Sequence, residues 1–313
     1  MDHTILGRTG LRVSVMGLGC GGHSRLGLGT GKDEESAVGI VRRALDLGVT
    51  FLDTAESYGT ETAVGKGIAG RPRESFVLST KAAVKWQGRL ATAADMRERI
   101  EASLRRLGVD FVDVFHLHAV ALDEYDHVLS EIVPELVRMR DAGLIRFVGI
   151  TERFVSDPQH AMLRRALRDD WFDVAMVGFS ILNQSARERV FAEAAPRGIG
   201  TLCMFAVRRA LSDPVALREM MADLVSRGLL DADDVSPDDP LGFLIADGVA
   251  ASIPEAAYRF CRHEPGLDVV LSGTGDPAHL DQNARSIMGP PLPEAVAEWL
   301  RRAFARVDCV SGN

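Results

Sequence analysis

The chain has 313 residues, 46% apolar and 26% charged, enough for one large domain or two small ones. Its 36 basic and 44 acidic residues give a net charge of −8, which argues against nonspecific binding to nucleic acid or anionic lipid. No run reaches the ~18 apolar residues of a membrane span, MDHTILGRTG lacks a signal-peptide core, and Cys20, Cys203, Cys261 and Cys309 are scattered without a CxxC pair.

The expectation is a soluble cytoplasmic protein with reduced thiols. In chain order, Thr4–Leu6 and Leu11–Val13 flank Gly-Arg-Thr-Gly and predict a small β-hairpin. Short β-branched runs then predict strands at Val13–Cys20, Thr50–Ala55, Phe76–Ala82, Val112–His118, Ile145–Thr151, Val174–Ser180, Gly200–Ala206 and Val269–Thr274. Helical spacing fills the gaps; in Asp95–Leu107 the residues Met96, Ile100, Leu104 and Leu107 share one face. Asp33 and Asp95 sit near helix starts, and Gly48, Gly108 and Gly143 follow helix ends. Eight strands alternating with helices read as parallel βαβ units that can close into a single (β/α)8 barrel over residues 1–313, with the hairpin covering its bottom. After strand seven a long acidic segment, including Asp231-Ala-Asp-Asp and Pro237-Asp-Asp-Pro, reads either as a lid loop or as a solvated excursion. A final helix is expected at Pro293–Val307, with only a short tail after it, which predicts an open substrate site.

Strand two ends in Asp53 with Tyr58 just beyond, strand three in Ser79-Thr80-Lys81, and strand four in His116-Leu117-His118. In a barrel these ends share the C-terminal face, where active sites are built. An Asp, a Lys, a His and a Tyr brought together there suit proton delivery to a carbonyl oxygen. A phenol of pKa near 10 is a poor acid at neutral pH, and an ammonium beside it favours the phenolate. In that scheme Asp53 holds Lys81, Lys81 tunes Tyr58, and His118 orients the carbonyl. The set holds no nucleophile and no metal cage, so a hydride donor must come from elsewhere. Singly, Asp53 reads as a helix cap, Tyr58 as a half-buried aromatic and Lys81 as a solvated lysine; the combination is what carries the signal. His116 and His118 point into the barrel together. With no further ligands at later strand ends, His116 reads as a hydrogen-bonded histidine one layer deeper rather than a metal ligand. Gly17-Leu-Gly-Cys-Gly-Gly22 spells a dinucleotide fingerprint but lacks the helix and the well-spaced acid that fingerprint needs, so its glycines read as backbone that lets a ligand approach.

The chain resembles the aldo-keto reductase family nearly end to end. The likeness rests on Gly7-Arg-Thr-Gly-Leu-Arg-Val-Ser, Gly17-Leu-Gly, Asp53-Thr-Ala-Glu-Ser-Tyr58-Gly, Ser79-Thr-Lys81, Ser103-Leu-Arg-Arg-Leu-Gly-Val-Asp-Phe-Val-Asp, His118, Gly143-Leu-Ile-Arg-Phe-Val-Gly-Ile and Ser272-Gly-Thr-Gly-Asp…Asn283. The resemblance implies a TIM barrel that binds NAD(P)H without a Rossmann fold, with Asp53, Tyr58, Lys81 and His118 as a catalytic tetrad and Tyr58 as acid or base. The substrate would be a small aldehyde, ketone, sugar lactol or secondary alcohol; the oligomeric state is left open. It also implies cofactor contacts at Gly19 and Cys20, at Thr151 and Glu152 where the family often has Ser-Asn, at Met176 where it has Gln, and at Met204, Phe205, Ala206, Val207 and Arg209 after strand seven. Arg209 is the candidate for the pyrophosphate. The adenosine end would meet Ser272, Gly273, Thr274, Gly275, His279, Gln282 and Asn283. That stretch has no Lys or Arg and carries Asp276 and Asp281, so NADH or a relaxed preference is expected over strict NADPH. Trp86, after strand three, is the candidate substrate contact. The altered amide-binding positions keep a second reading open, a non-catalytic relative that binds cofactor to regulate a partner.

Overall fold

The computed structural model describes residues 1–86 and 88–313. Two short antiparallel strands, β1 (His3–Ile5) and β2 (Arg12–Ser14), form the expected hairpin. Eight parallel strands follow: β3 (Met16–Gly19), β4 (Phe51–Asp53), β5 (Val77–Ala83), β8 (Val112–Val120), β9 (Ile145–Glu152), β10 (Val174–Gly178), β11 (Gly200–Met204) and β12 (Val269–Ser272). They close in sequence order, with β12 pairing back to β3, as a TIM barrel wrapped by helices. A minor hairpin, β6 (Lys85–Trp86) and β7 (Arg89–Leu90), projects between β5 and the next helix.

Period-two alternation builds the two sides of the barrel wall. Phe51, Val77, Val114, Val174, Leu202 and Val269 point inward and cluster with Leu6, Leu11 and Val13, so the hairpin closes the bottom with apolar side chains. Their outward neighbours, among them Leu52, Leu78, Phe115, Leu117 and Cys203, join the larger core beneath the helices. Phe51 is fully buried at this seam; its truncation to Ala would cost about 3–5 kcal/mol.

Local chemistry explains where the observed elements depart from the expected ones. The run Val13–Cys20 is two strands, because Ser14 makes a corner: its Oγ donates to the Met16 carbonyl at 2.6 Å and accepts the Thr50 N–H at 2.8 Å. The helix expected from Asp95 begins earlier, at Ala93–Leu107, because Thr92 caps it and Asp95 answers as the third residue of a capping box. Gly108 ends it in the left-handed region at φ 66°. The segment after β11 contains a helix the sequence reading omitted, Pro214–Ser226, whose start is fixed by the Asp213 carboxylate accepting the Val215 and Ala216 N–H groups. Its acidic stretch turns toward the final helical region, with Asp231 paired to Arg306 at 2.7 Å. The final helix itself spans Glu294–Ala303. No helix among the described residues is long and apolar enough to cross a membrane.

Candidate active site at the barrel mouth

The ends of β4, β5 and β8 bring Asp53, Lys81 and His118 to one place, and the short turn Glu56–Tyr58 after β4 carries the phenol over them. Lys81 is completely buried and Asp53 nearly so; Lys81 Nζ donates to Asp53 Oδ2 and to the Thr54 carbonyl, each at 2.7 Å. The Ser79 hydroxyl donates to the other Asp53 oxygen at 2.9 Å. The ammonium lies 4.9 Å from the centre of the Tyr58 ring, and Tyr58 Oη sits 3.4 Å from His118 Nε2 with the rings edge to face. Gly21 makes the slot for the phenol, since a Cβ there would enter the Tyr58 ring. From the far side Arg99 holds the turn through Glu56 and through the Ala83 carbonyl at 2.6 Å.

These contacts set the proton inventory. Burial pushes the Tyr58 phenol above its ordinary range, and the nearby Lys81 only partly pulls it back. The expected downward tuning by Lys81 is therefore present but outweighed, and the free protein holds Tyr58 as a protonated acid. Burial disfavours the Lys81 ammonium, yet Asp53 and Tyr58 more than offset this and hold its pKa above the usual lysine value. Asp53 is itself raised by burial against the pull of Lys81 and the Ser79 bond. His118 is lowered to about 3 by burial and by repulsion from Lys81, Arg99 and Arg153, so it is neutral. His116 lies one layer deeper, as expected, but neither ring nitrogen finds a hydrogen-bond partner among the described residues. Gly149 makes room for that ring, because a Cβ there would fall inside it. Among the described residues no group of three or more His, Cys, Asp or Glu side chains is placed to hold a metal.

A cavity of about 740 Å³ opens beside the phenol, with Asp53, Tyr58 and Gly273 among its lining residues. Of the proposed cofactor positions, Gly19, Met176, Met204, Phe205, Ala206, Val207, Arg209 and Gly273 line it. Others are engaged in the surrounding frame. Cys20 is fully buried and burial raises its thiol. Thr151 Oγ1 accepts the Ala119 N–H at 2.6 Å, and Glu152 accepts from the Gly178 N–H at 2.8 Å and faces His160. Ser272 bonds Tyr258 and Asn283, each at 3.0 Å. Thr274 accepts the Asp276 N–H at 3.1 Å, and Gly275 packs on Gly27 with its carbonyl accepting from Lys32 at 2.7 Å. His279 and Gln282 are exposed. Trp86 is 48% exposed beneath the Arg99 guanidinium and is not part of the cavity wall. The acidic stretch at 231–239 contributes nothing to that wall either.

The sequence reading missed several wall residues. Arg208 lies over the Phe205 ring at 4.1 Å and donates to Asn313 Oδ1 at 2.7 Å. Phe205 adopts φ 70°, a left-handed conformation rare for an aromatic, which turns its side chain at the rim. Tyr258, Ser212 and Asn313 also line the cavity and carry no motif in the linear sequence. The wall fits a dinucleotide: glycine backbone at Gly19, Gly21 and Gly273, an apolar Met176–Met204 floor, and two guanidiniums at the rim.

A model of the aldo/keto reductase family matches residues 16–302. The chain belongs to the aldo/keto reductase family. This family comprises oxidoreductases that generally use NAD(P)H. The chain is 26% identical over 310 residues to the aldo-keto reductase YhdN of Bacillus subtilis, covering 90% of this chain and 87% of the relative. It is 38% identical over 152 residues to L-galactose dehydrogenase of Arabidopsis thaliana, a match that spans 47% of each protein. Among solved structures, the holo form of aldo-keto reductase AKR11C1 from Bacillus halodurans superposes with a TM-score of 0.72 at 23% identity, covering 99% of this chain and 97% of that one, a likeness of fold.

Proposed function

We propose that this aldo/keto reductase transfers hydride between a nicotinamide cofactor and a small carbonyl or alcohol substrate, with Tyr58 as general acid in reduction and general base in oxidation. The observation that carries this reading is the buried Lys81–Asp53 pair beneath a protonated phenol at the wall of the 740 Å³ cavity. Bound against Met176 and Met204, the cofactor would supply the hydride. Tyr58 holds the proton that a reduced carbonyl oxygen needs, and Lys81 stabilises the phenolate left behind. Neutral His118 offers a ring nitrogen to the same oxygen. Arg208 and Arg209 line the cavity and suit a pyrophosphate; Arg209 is 68% exposed and its pairing with Asp213 is long, at 3.9 Å, a contact that a bound phosphate could replace.

A sugar lactol is the favoured substrate, from the partial likeness to L-galactose dehydrogenase and from a wall that mixes Ser, Asp and Arg with apolar side chains. For the cofactor, the acidic stretch is less repulsive than the sequence suggested: Asp281 is chelated by Arg43 at 2.8 and 2.9 Å, and Lys32 stands beside Gly275. Of the two expected preferences, relaxed use of NADH and NADPH is therefore the better supported. The test is turnover of aldoses and of nitrobenzaldehyde with each cofactor. Tyr58→Phe should lower kcat about 10²–10⁴-fold while tryptophan quenching by cofactor persists. Equal, slow rates in both proteins with tight cofactor binding would instead favour the regulatory relative.

A further inference from the structure

Phe205 belongs to the wall of the Tyr58 cavity, and its backbone is strained. A φ of 70° lies in the left-handed region, which a residue with a bulky side chain keeps only where its surroundings over-determine it. Two ring contacts help to fix it. The Arg208 guanidinium lies over the Phe205 ring at 4.1 Å, and the Phe154 ring meets it edge to face at 5.4 Å with an interplanar angle of 76°.

Phe154 does not reach the cavity wall itself. It is 1% exposed, follows the end of β9 by two residues, and lies over Gly178 at the end of β10, where a Cβ would fall inside its ring. The Phe154 ring also stacks on His160 at 5.4 Å with an interplanar angle of 18°. His160 is fully buried and holds φ 62°, so a left-handed residue stands at each end of the stack.

The imidazole at the deep end is pinned through both nitrogens. Its Nδ1 faces the two Glu152 carboxylate oxygens at 2.9 and 3.0 Å, and its Nε2 lies 3.0 Å from Ser185 Oγ. Glu152 in turn accepts the Gly178 N–H at 2.8 Å, so the acid, the imidazole and the glycine that admits Phe154 form one connected unit. The order is Glu152, His160, Phe154, Phe205, and only the last of these lines the cavity. Because buried side chains are close-packed, a ring displaced at one end of the stack displaces the next.

On the reading that the cavity takes a nicotinamide cofactor, we propose that Phe154, backed by the Glu152–His160 pair, is a positioning residue that holds Phe205 in the shape that receives that cofactor. Glu152 then acts on the cavity from behind, through two rings, without touching the ligand. With Phe154 cut back to an aliphatic side chain, the strained Phe205 loses its edge-to-face contact and relaxes. Binding must then restore the wall, and affinity falls by the cost of that ordering.

The test is a double-mutant cycle on cofactor affinity, with NADH and NADPH titrated into the full-length protein and the fluorescence of the bound dihydronicotinamide followed. Phe154→Leu should raise the Kd of the tighter-binding cofactor about three- to tenfold. In a Phe205→Leu background the same change should raise it less than about twofold, because the residue it acts through is gone. An unchanged Kd in Phe154→Leu overturns the proposal. So does an equal rise in both backgrounds, which is what a general loss of structure would give. If Phe154→Leu fails to fold, Glu152→Gln, which keeps the side-chain volume, is carried through the same cycle and decides by the same criteria. A wild-type protein that binds neither cofactor would overturn the cofactor reading first, and the positioning role with it.

Discussion

Replacing Asp53 by Asn should unfold this protein more readily than almost any other single change near the cavity, and the structure gives the size. Lys81 has no exposed surface, its partner Asp53 has 3%, and their contact is 2.7 Å. Removing one member of a buried ion pair costs about 3–5 kcal/mol, because the other charge stays in low dielectric without compensation. Unfolding entropy of about 2.1 cal/mol/K per residue gives roughly 0.66 kcal/mol/K for a chain of this length, so the melting temperature should fall by roughly 5–8 °C. The paired replacement Asp53→Leu with Lys81→Met removes both charges and should recover much of that loss, while hydride transfer stays abolished. Urea denaturation followed by circular dichroism measures both. The reasoning is refuted if Asp53→Asn costs under about 1 kcal/mol, or if the double variant loses as much as the two single ones combined.

The remaining expectations concern the layer beneath the site, its protonation and the cofactor rim. Gly149→Ala should destabilise by about 1–3 kcal/mol through overpacking against His116, and adding His116→Ala should give back part of it; strict additivity in thermal melts would argue against the contact. Acid should weaken the fold through His118. Its folded pKa is depressed to about 3 from 6.5, so the unfolded chain takes up a proton first, and stability is full above about pH 6.5 and falls as the pH drops toward 3. Buried His116 shifts in the same direction, so His118→Asn should flatten, not abolish, the decline of melting temperature with acidification. Arg43→Ala should uncover the Asp281 charge and weaken NADPH several-fold more than NADH in fluorescence titrations, and an unchanged ratio of the two affinities would show that Asp281 does not face the 2′-phosphate.

The order of residues at the strand ends was legible because parallel register does the aligning. Gly19 pairs with Asp53, Asp53 with Ser79, and Ala83 with His118, so residues that end successive runs must meet on one face. Boundaries were less legible where a side chain overrides the pattern. Ser14 reads as one more polar residue in an alternating run, and only its bonds to Met16 and Thr50 reveal the corner. The helix Pro214–Ser226 was hidden by the acidic composition that follows it, although Asp213-Pro214 is itself a helix-start signal.

What linear reading could not supply is the partner that changes a residue's chemical meaning. Asp281 counts as a negative charge at the adenosine end until Arg43, from the helix Glu34–Asp46, is found chelating it. Glu152 stands where the family often has an amide-binding Asn, yet its carboxylate is committed to Gly178 and His160. Both carboxylate oxygens face His160 Nδ1 and one also accepts the Gly178 N–H, so turning toward another partner would break these buried bonds. The acid at this position serves the buried histidine, while Met176, Met204 and Phe205 are the side chains that line the cavity nearby. Glu152→Gln separates the two roles, since it keeps an amide acceptor but lacks the charge that orients His160.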